Sequence, residues 1–156
     1  MIESGEGWIV NVSSATARPA AGPPFSTAPP GATMGIYGAS KAALNRLTNG
    51  LAQELWGTGV RVNAVQPRTG VRTEGAEELV GSMVDTSGWE SMEEMVEAVL
   101  ALCHCPAGMT GGIEVSTELV TRLGLVVRSL DGRRPRVDAT TTSGRGDRQK
   151  EANPDE

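Results

Sequence analysis

The pentapeptide Tyr37-Gly-Ala-Ser-Lys41 is the feature from which the organisation of this chain can be worked out. It lies between two short apolar runs, Ile9-Val-Asn-Val-Ser-Ser14 and Val60-Arg-Val-Asn-Ala-Val65. Such runs are typical of strands that are covered on both faces. On a helix, residues four apart lie on the same face, about 6 Å apart along the axis. The spacing therefore predicts that the side chains of Tyr37 and Lys41 reach the same space.

These residue types suit proton transfer to and from a carbonyl group. An unperturbed tyrosine ionises near pH 10, and a nearby ammonium group favours the phenolate form. The hydroxyl of Ser14, at the end of the first apolar run, could hold a carbonyl oxygen in place. Tyrosine as general acid, lysine as its neighbouring cation and serine as the orienting donor make a carbonyl-reduction site.

The pentapeptide and its two flanking runs resemble the catalytic half of the short-chain dehydrogenase/reductase family, and the resemblance extends over about residues 6–125. It implies that Ser14 orients the substrate and that Tyr37 is the general acid/base. It also implies that Lys41 favours the tyrosinate and binds the ribose of a nicotinamide nucleotide. Ser14, Tyr37 and Lys41 are thus the predicted catalytic residues.

The same resemblance implies an NAD or NADP cofactor. Tyr37, Lys41, Pro67 and Thr73 are the residues that it assigns to cofactor binding. Asn63 and Pro67 match the family's segment that leads to the nicotinamide loop, and Thr73 matches a threonine that often contacts the cofactor.

Several family features are not found in the sequence. We find no glycine-rich phosphate-binding turn and no residue that would choose between NAD and NADP. The family's Pro-Gly reads Pro67-Arg68, and its Asp-Gly-Gly is replaced by Val115-Ser-Thr-Glu118. We therefore expect residues 1–131 to form a partial short-chain dehydrogenase/reductase domain that lacks the N-terminal dinucleotide-binding half.

The remaining patterns predict an α/β layout. A helix is expected from about Tyr37 to Trp56, with Leu44, Leu47, Leu51 and Leu55 on one stripe. Ser91-Met-Glu-Glu94 is a capping box that opens a second helix, and a last short strand is expected from Ile113 to Ser116. Strand, helix, strand, helix, strand is the order of the C-terminal half of a Rossmann-like doubly wound parallel sheet.

Composition predicts a disordered polar tail and excludes several function classes. In residues 132–156 only Val137 is strongly apolar, which is too little to offset ordering entropy. The net charge of −5 and the mixed-sign tail argue against nucleic-acid binding, and no apolar run is long enough for a membrane span. Cys103-His-Cys105 lacks the spacing of a metal site, so no metal is expected. A cytoplasmic location is expected by default.

Two functions remain open from the sequence. The first is an NAD(P)-dependent oxidoreductase that interconverts a carbonyl and a secondary alcohol in a small-molecule substrate. The second is a catalytically inactive, truncated remnant that acts as an interaction module. Because the Tyr37 helix commonly packs against its counterpart in dimers of the family, such a module would form a homodimer through this helix.

Overall fold

The computed structural model describes residues 1–25, 34–133 and 135, and it contains three strands and four α-helices. A short 3-10 helix, Ala15–Ala17, follows the first strand. The elements in chain order are β1 (Gly7–Val12), α1 (Gly35–Glu54), β2 (Val60–Gln66), α2 (Glu74–Val80), α3 (Met92–Leu102), β3 (Ile113–Val115) and α4 (Ser116–Leu123).

The three strands form one parallel sheet in the order β1-β2-β3. Gly7 pairs with Val60 and Val12 with Val65, while Ala64 pairs with Ile113. This α/β arrangement with parallel strands confirms the predicted fold class. Every residue of β2 except Arg61 is buried, as expected for a central strand that is covered on both faces.

Helices pack on both faces of the sheet because successive side chains of β2 point in opposite directions. On one face, Val60 and Val62 pack with Ala52 of α1. On the other face, Val65 packs with Met95, Ala98 and Leu102 of α3 and with Leu119 of α4. The core therefore consists of two separate apolar clusters, one on each side of the sheet.

The buried face of α1 differs from the predicted leucine stripe. Leu47 is 54% exposed, so its place in that stripe is wrong. The fully buried positions are instead Gly38, Thr48 and Ala52. Thr48 is tolerated inside because its hydroxyl donates to the carbonyl of Leu44 and accepts from the amide of Asn11 in β1.

Element boundaries also differ from the predictions. The first strand ends at Val12 rather than Ser14, because the Ser14 side chain caps the 3-10 helix. The last strand ends at Val115, since Ser116 already begins α4. The sequence patterns predicted neither α2 nor α4. The capping box is confirmed: the Ser91 hydroxyl accepts from the Glu94 backbone, and the Glu94 carboxylate accepts from the Ser91 backbone.

Parts of two predictions lie outside the described residues. The predicted disordered tail, residues 132–156, is described only at residues 132, 133 and 135, so the division of the chain at residue 131 stays a prediction. Residues 26–33 of the loop before α1 are also outside the description. Among the described helices, none combines the length and the apolar character needed to cross a membrane.

Candidate active site

The carboxyl end of β1 presents two serines next to the sheet. The backbone N–H of Ser13 continues the ladder by donating to the carbonyl of Val65 at 2.7 Å. The Ser14 hydroxyl accepts from the backbone N–H of Thr16 at 3.2 Å and from its hydroxyl at 2.9 Å. A serine hydroxyl has two acceptor sites and one hydrogen. Either hydroxyl can donate in the Ser14–Thr16 pair, so the hydrogen of Ser14 can turn to an oxygen of a bound molecule while Thr16 donates to Ser14.

Gly38 brings the first turn of α1 against the serines. A Cβ at this position would lie only 2.6 Å from the carbonyl oxygen of Thr16, which is closer than van der Waals contact allows. The absence of a side chain therefore lets α1 approach the 3-10 helix that Ser14 caps. Tyr37 lies directly before this contact, and its side chain is 46% exposed.

Lys41 lies one helical turn after Tyr37, as the spacing predicts. Its Nζ atom is 5.6 Å from the centroid of the Tyr37 ring and donates a hydrogen bond to the carbonyl of Val12 at 2.8 Å. A lysine ammonium has three donors, so two remain after the bond to Val12. The lysine is thus fixed between the end of β1 and the tyrosine ring, with donors left for a ligand.

A cavity of about 440 Å³ opens at the carboxyl ends of β1 and β2. Four of the predicted site residues line it: Ser14, Tyr37, Pro67 and Thr73. Lys41 does not line the cavity, but its Nζ atom lies 5.6 Å from the ring centroid of Tyr37, which does. The carboxyl end of a parallel sheet is where ligands bind in open α/β folds. A second cavity, of about 380 Å³, lies at the opposite end of β2 and contains none of the predicted residues.

The outer wall of the cavity comes from the segment that follows β2. Thr73 caps α2, with its Oγ1 accepting from the backbone N–H of Ala76 at 3.1 Å, and its hydroxyl hydrogen stays available. Trp89 closes over Gly70, where a Cβ would lie 2.8 Å from the indole ring. The sequence patterns missed Trp89 and Asp85 as lining residues, because no motif connects them to the tyrosine.

Asn63 does not join this cavity. Its side-chain amide donates to the carbonyl of Met109 at 2.8 Å, and its Oδ1 accepts from the backbone N–H of Gly112 at 3.1 Å. It is 1% exposed. Asn63 therefore fastens the turn before β3.

Three groups near the sheet have shifted pKa values. Burial raises the pKa of Glu90, although a 2.5 Å hydrogen bond with the Ser116 hydroxyl opposes this in part. Burial likewise raises the pKa of Cys105, whose thiol donates to the carbonyl of Met109. Hydrogen bonds from the backbone and side chain of Ser87 lower the pKa of Asp85. Within the described ranges, no three potential ligand side chains converge as a metal site.

A family model described as short chain dehydrogenase matches residues 1–83, more than half of the chain. The chain belongs to the short-chain dehydrogenase family. The resemblance drawn from the Tyr37–Lys41 pentapeptide is confirmed, and the family is one of oxidoreductases.

Two dehydrogenases and one solved structure show how this short-chain dehydrogenase relates to known proteins. The 1,6-dihydroxycyclohexa-2,4-diene-1-carboxylate dehydrogenase of Pseudomonas putida is 35% identical over 131 residues, covering 72% of this chain and 44% of its own length. The 4-formylbenzenesulfonate dehydrogenase of Comamonas testosteroni is 45% identical over 69 residues, covering 44% and 23%. A candidate NAD(P)-dependent gluconate 5-dehydrogenase of Beutenbergia cavernae, solved with bound NADP, superposes with a TM-score of 0.55 at 27% identity, covering 74% and 46%. The chain thus spans less than half the length of these relatives.

Proposed function

We propose that this chain carries the catalytic residues of an NAD(P)-dependent oxidoreductase that interconverts a carbonyl and a secondary alcohol. The observation that carries the proposal is the shared cavity of Ser14 and Tyr37, with Lys41 held 5.6 Å from the tyrosine ring. Side chains from a strand end and a helix start meet there, although they are far apart in sequence.

Each residue has a role that follows from its surroundings. Ser14 donates its free hydroxyl hydrogen to the carbonyl oxygen and so orients the substrate. Tyr37 gives its proton to the same oxygen during reduction and removes it during oxidation. Lys41 holds a positive charge 5.6 Å from the centroid of the Tyr37 ring, which favours the transition state in which the hydroxyl gives up its proton.

The residues present fit a nicotinamide nucleotide, NAD or NADP. Lys41 has two free donors for ribose hydroxyls, and Thr73 has a hydroxyl hydrogen at the cavity wall. Tyr37, Lys41, Pro67 and Thr73 are the residues that would hold the nicotinamide end. When bound, the nucleotide supplies or accepts the hydride at the substrate carbon. The NADP bound to the structural relative supports this choice of cofactor.

The relatives support a small-molecule substrate with a hydroxyl or a carbonyl group, since both are named as dehydrogenases of such compounds. Only this reacting group is carried over to the present chain. The carboxylate and the sulfonate in those names are not carried over, because the cavity wall described for this chain contains no Lys or Arg side chain.

The direct test is transfer of deuterium from deuterated NADPH or NADH to a panel of ketones, with the alcohol product detected by mass spectrometry. Tyr37→Phe should reduce transfer by about 10²–10⁴-fold, the range of general acid–base catalysis. Ser40→Ala, in the same helical turn but outside the cavity, is the matched control and should behave as wild type. Absence of transfer by wild type, or equal transfer by Tyr37→Phe, would refute the proposal.

The second candidate function, a homodimerising interaction module, is favoured by the outer face of α1. Ile36 is 91% exposed and Leu47 is 54% exposed. The two residues are eleven positions apart, which is about three helical turns, so they lie on the same side of α1. Ala39 and Ala43, also exposed, lie near that side and would permit close approach of a second helix. Sedimentation velocity tests this function: Leu47→Glu should convert dimer to monomer, and a monomeric wild type would reject it.

A further inference from the structure

The charges around the cavity show which substrates it can take. Apart from Tyr37, the only ionisable side chain among the described lining residues is Asp85. Among the described residues, the cavity wall therefore contains no Lys or Arg side chain to meet an anionic group.

Lys41 does not line the cavity, and two arginines close to it are engaged elsewhere. Arg72 pairs with Glu77 at 2.9 Å and also donates to the carbonyl of Thr86. Arg18 donates to the carbonyl of Arg68 at 3.2 Å. Moving either arginine towards a bound anion would break these contacts, so neither is a ready partner for a carboxylate.

Asp85 itself is held in the charged form. Its Oδ1 accepts from the backbone N–H of Ser87 at 2.9 Å, and this hydrogen bond favours the carboxylate. The side chain is exposed at the edge of the cavity, so it adds negative potential where a ligand must enter. Like charges at short range disfavour the binding of an anion.

The remaining wall is mostly apolar. Val71, Val80, Val84, Trp89 and Met95 line the cavity. An ionised group that loses water against such a surface without gaining a partner binds poorly, whereas an apolar ring gains from its burial. The apolar wall and the carboxylate of Asp85 therefore both disfavour the binding of an anionic ligand.

We propose that Asp85 and the apolar wall select uncharged carbonyl or alcohol substrates of about one ring and reject those that carry a carboxylate or a sulfonate. The proposal rests on the proposed function for the reacting group, but the selection concerns binding and is separable from hydride transfer. It makes Asp85 a specificity-determining residue of this cavity.

The test compares acetophenone with 4-acetylbenzoate, which differ only in the carboxylate. Binding to the full chain is followed by quenching of tryptophan fluorescence, and Trp89→Phe shows whether the signal comes from the cavity. We expect acetophenone to bind at least about tenfold more tightly, since repulsion and lost hydration both oppose the carboxylate. Asp85→Asn should reduce this ratio several-fold, whereas Glu78→Gln, which changes net charge equally on the exposed side of α2, should not.

The outcomes separate this proposal from the proposed function. Tyr37→Phe should keep the binding preference even though it loses hydride transfer. A preference for acetophenone in a chain without hydride transfer would support the selection and refute the oxidoreductase function. Equal or tighter binding of 4-acetylbenzoate, no change with Asp85→Asn, or no binding of either compound would overturn the selection.

Discussion

Replacing Gly38 by alanine should separate helix propensity from packing at the site. In a helix interior, alanine is favoured over glycine by about 1 kcal/mol. At Gly38, however, the new Cβ would lie 2.6 Å from the carbonyl oxygen of Thr16, and this neighbour is backbone. Overpacking of that kind costs about 1–3 kcal/mol. The net effect of Gly38→Ala should therefore lie between neutral and about 2 kcal/mol of destabilisation, with α1 pushed away from the 3-10 helix.

Gly50, in the same helix, is the matched control. A Cβ there would meet only the flexible end of Arg46, at 3.6 Å. Gly50→Ala should thus raise the free energy of unfolding by about 1 kcal/mol, the full difference in helix propensity between alanine and glycine. For a chain of this length, about 3 °C in Tm corresponds to 1 kcal/mol, so the two variants should differ in Tm by about 3–9 °C. Thermal unfolding followed by circular dichroism measures this difference, and equal stabilisation by both substitutions would refute the packing argument.

Three further perturbations test other parts of the structure. Glu90→Gln should remove a pH dependence of the free energy of unfolding. Burial raises the pKa of Glu90 above its ordinary value of 4.5, so the contribution of Glu90 to stability is complete below pH 4.5 and is lost as the pH rises through the folded-state pKa. Urea-unfolding profiles of variant and wild type that run parallel against pH would contradict this. Ser91→Ala should lower the free energy of unfolding by about 1 kcal/mol through loss of the capping box, whereas Ser82→Ala, outside any helix, should not. Asn63→Leu should cost at least about 2 kcal/mol, because it leaves the N–H of Gly112 without its partner and the carbonyl of Met109 with only the weak thiol donor of Cys105; an unchanged urea midpoint would exclude that role.

The sequence predicted the parts of the fold that depend on local patterns. The two apolar runs became β1 and β2, and the Ser91 capping box begins α3 as expected. The Tyr37–Lys41 spacing placed both side chains together because helical geometry is nearly invariant. These features need no knowledge of distant contacts.

Other features depend on contacts that no local pattern shows. The sequence did not reveal that Leu47 faces outward while Thr48 is buried, since this depends on the Asn11 amide in β1. Nor did it reveal that Asn63 fastens the turn at Gly112, because the side-chain hydrogen bond joins residues 49 positions apart in the sequence. Asp85 and Trp89 enter the cavity wall through the path of the segment after β2, which motif spacing does not determine.

The hydrogen bond from Lys41 to Val12 has a consequence for association between chains. The N–H groups of Gly7 and Ser13 point to β2, so by alternation the peptide groups of Trp8, Val10 and Val12 point to the outer edge of β1. An open strand edge is a template for pairing with another chain, and lysine is a common means of blocking it. Lys41 occupies the last carbonyl of that edge and places a positive charge beside it. Lys41 therefore hinders the pairing of an added strand at the end of β1 that carries Ser14.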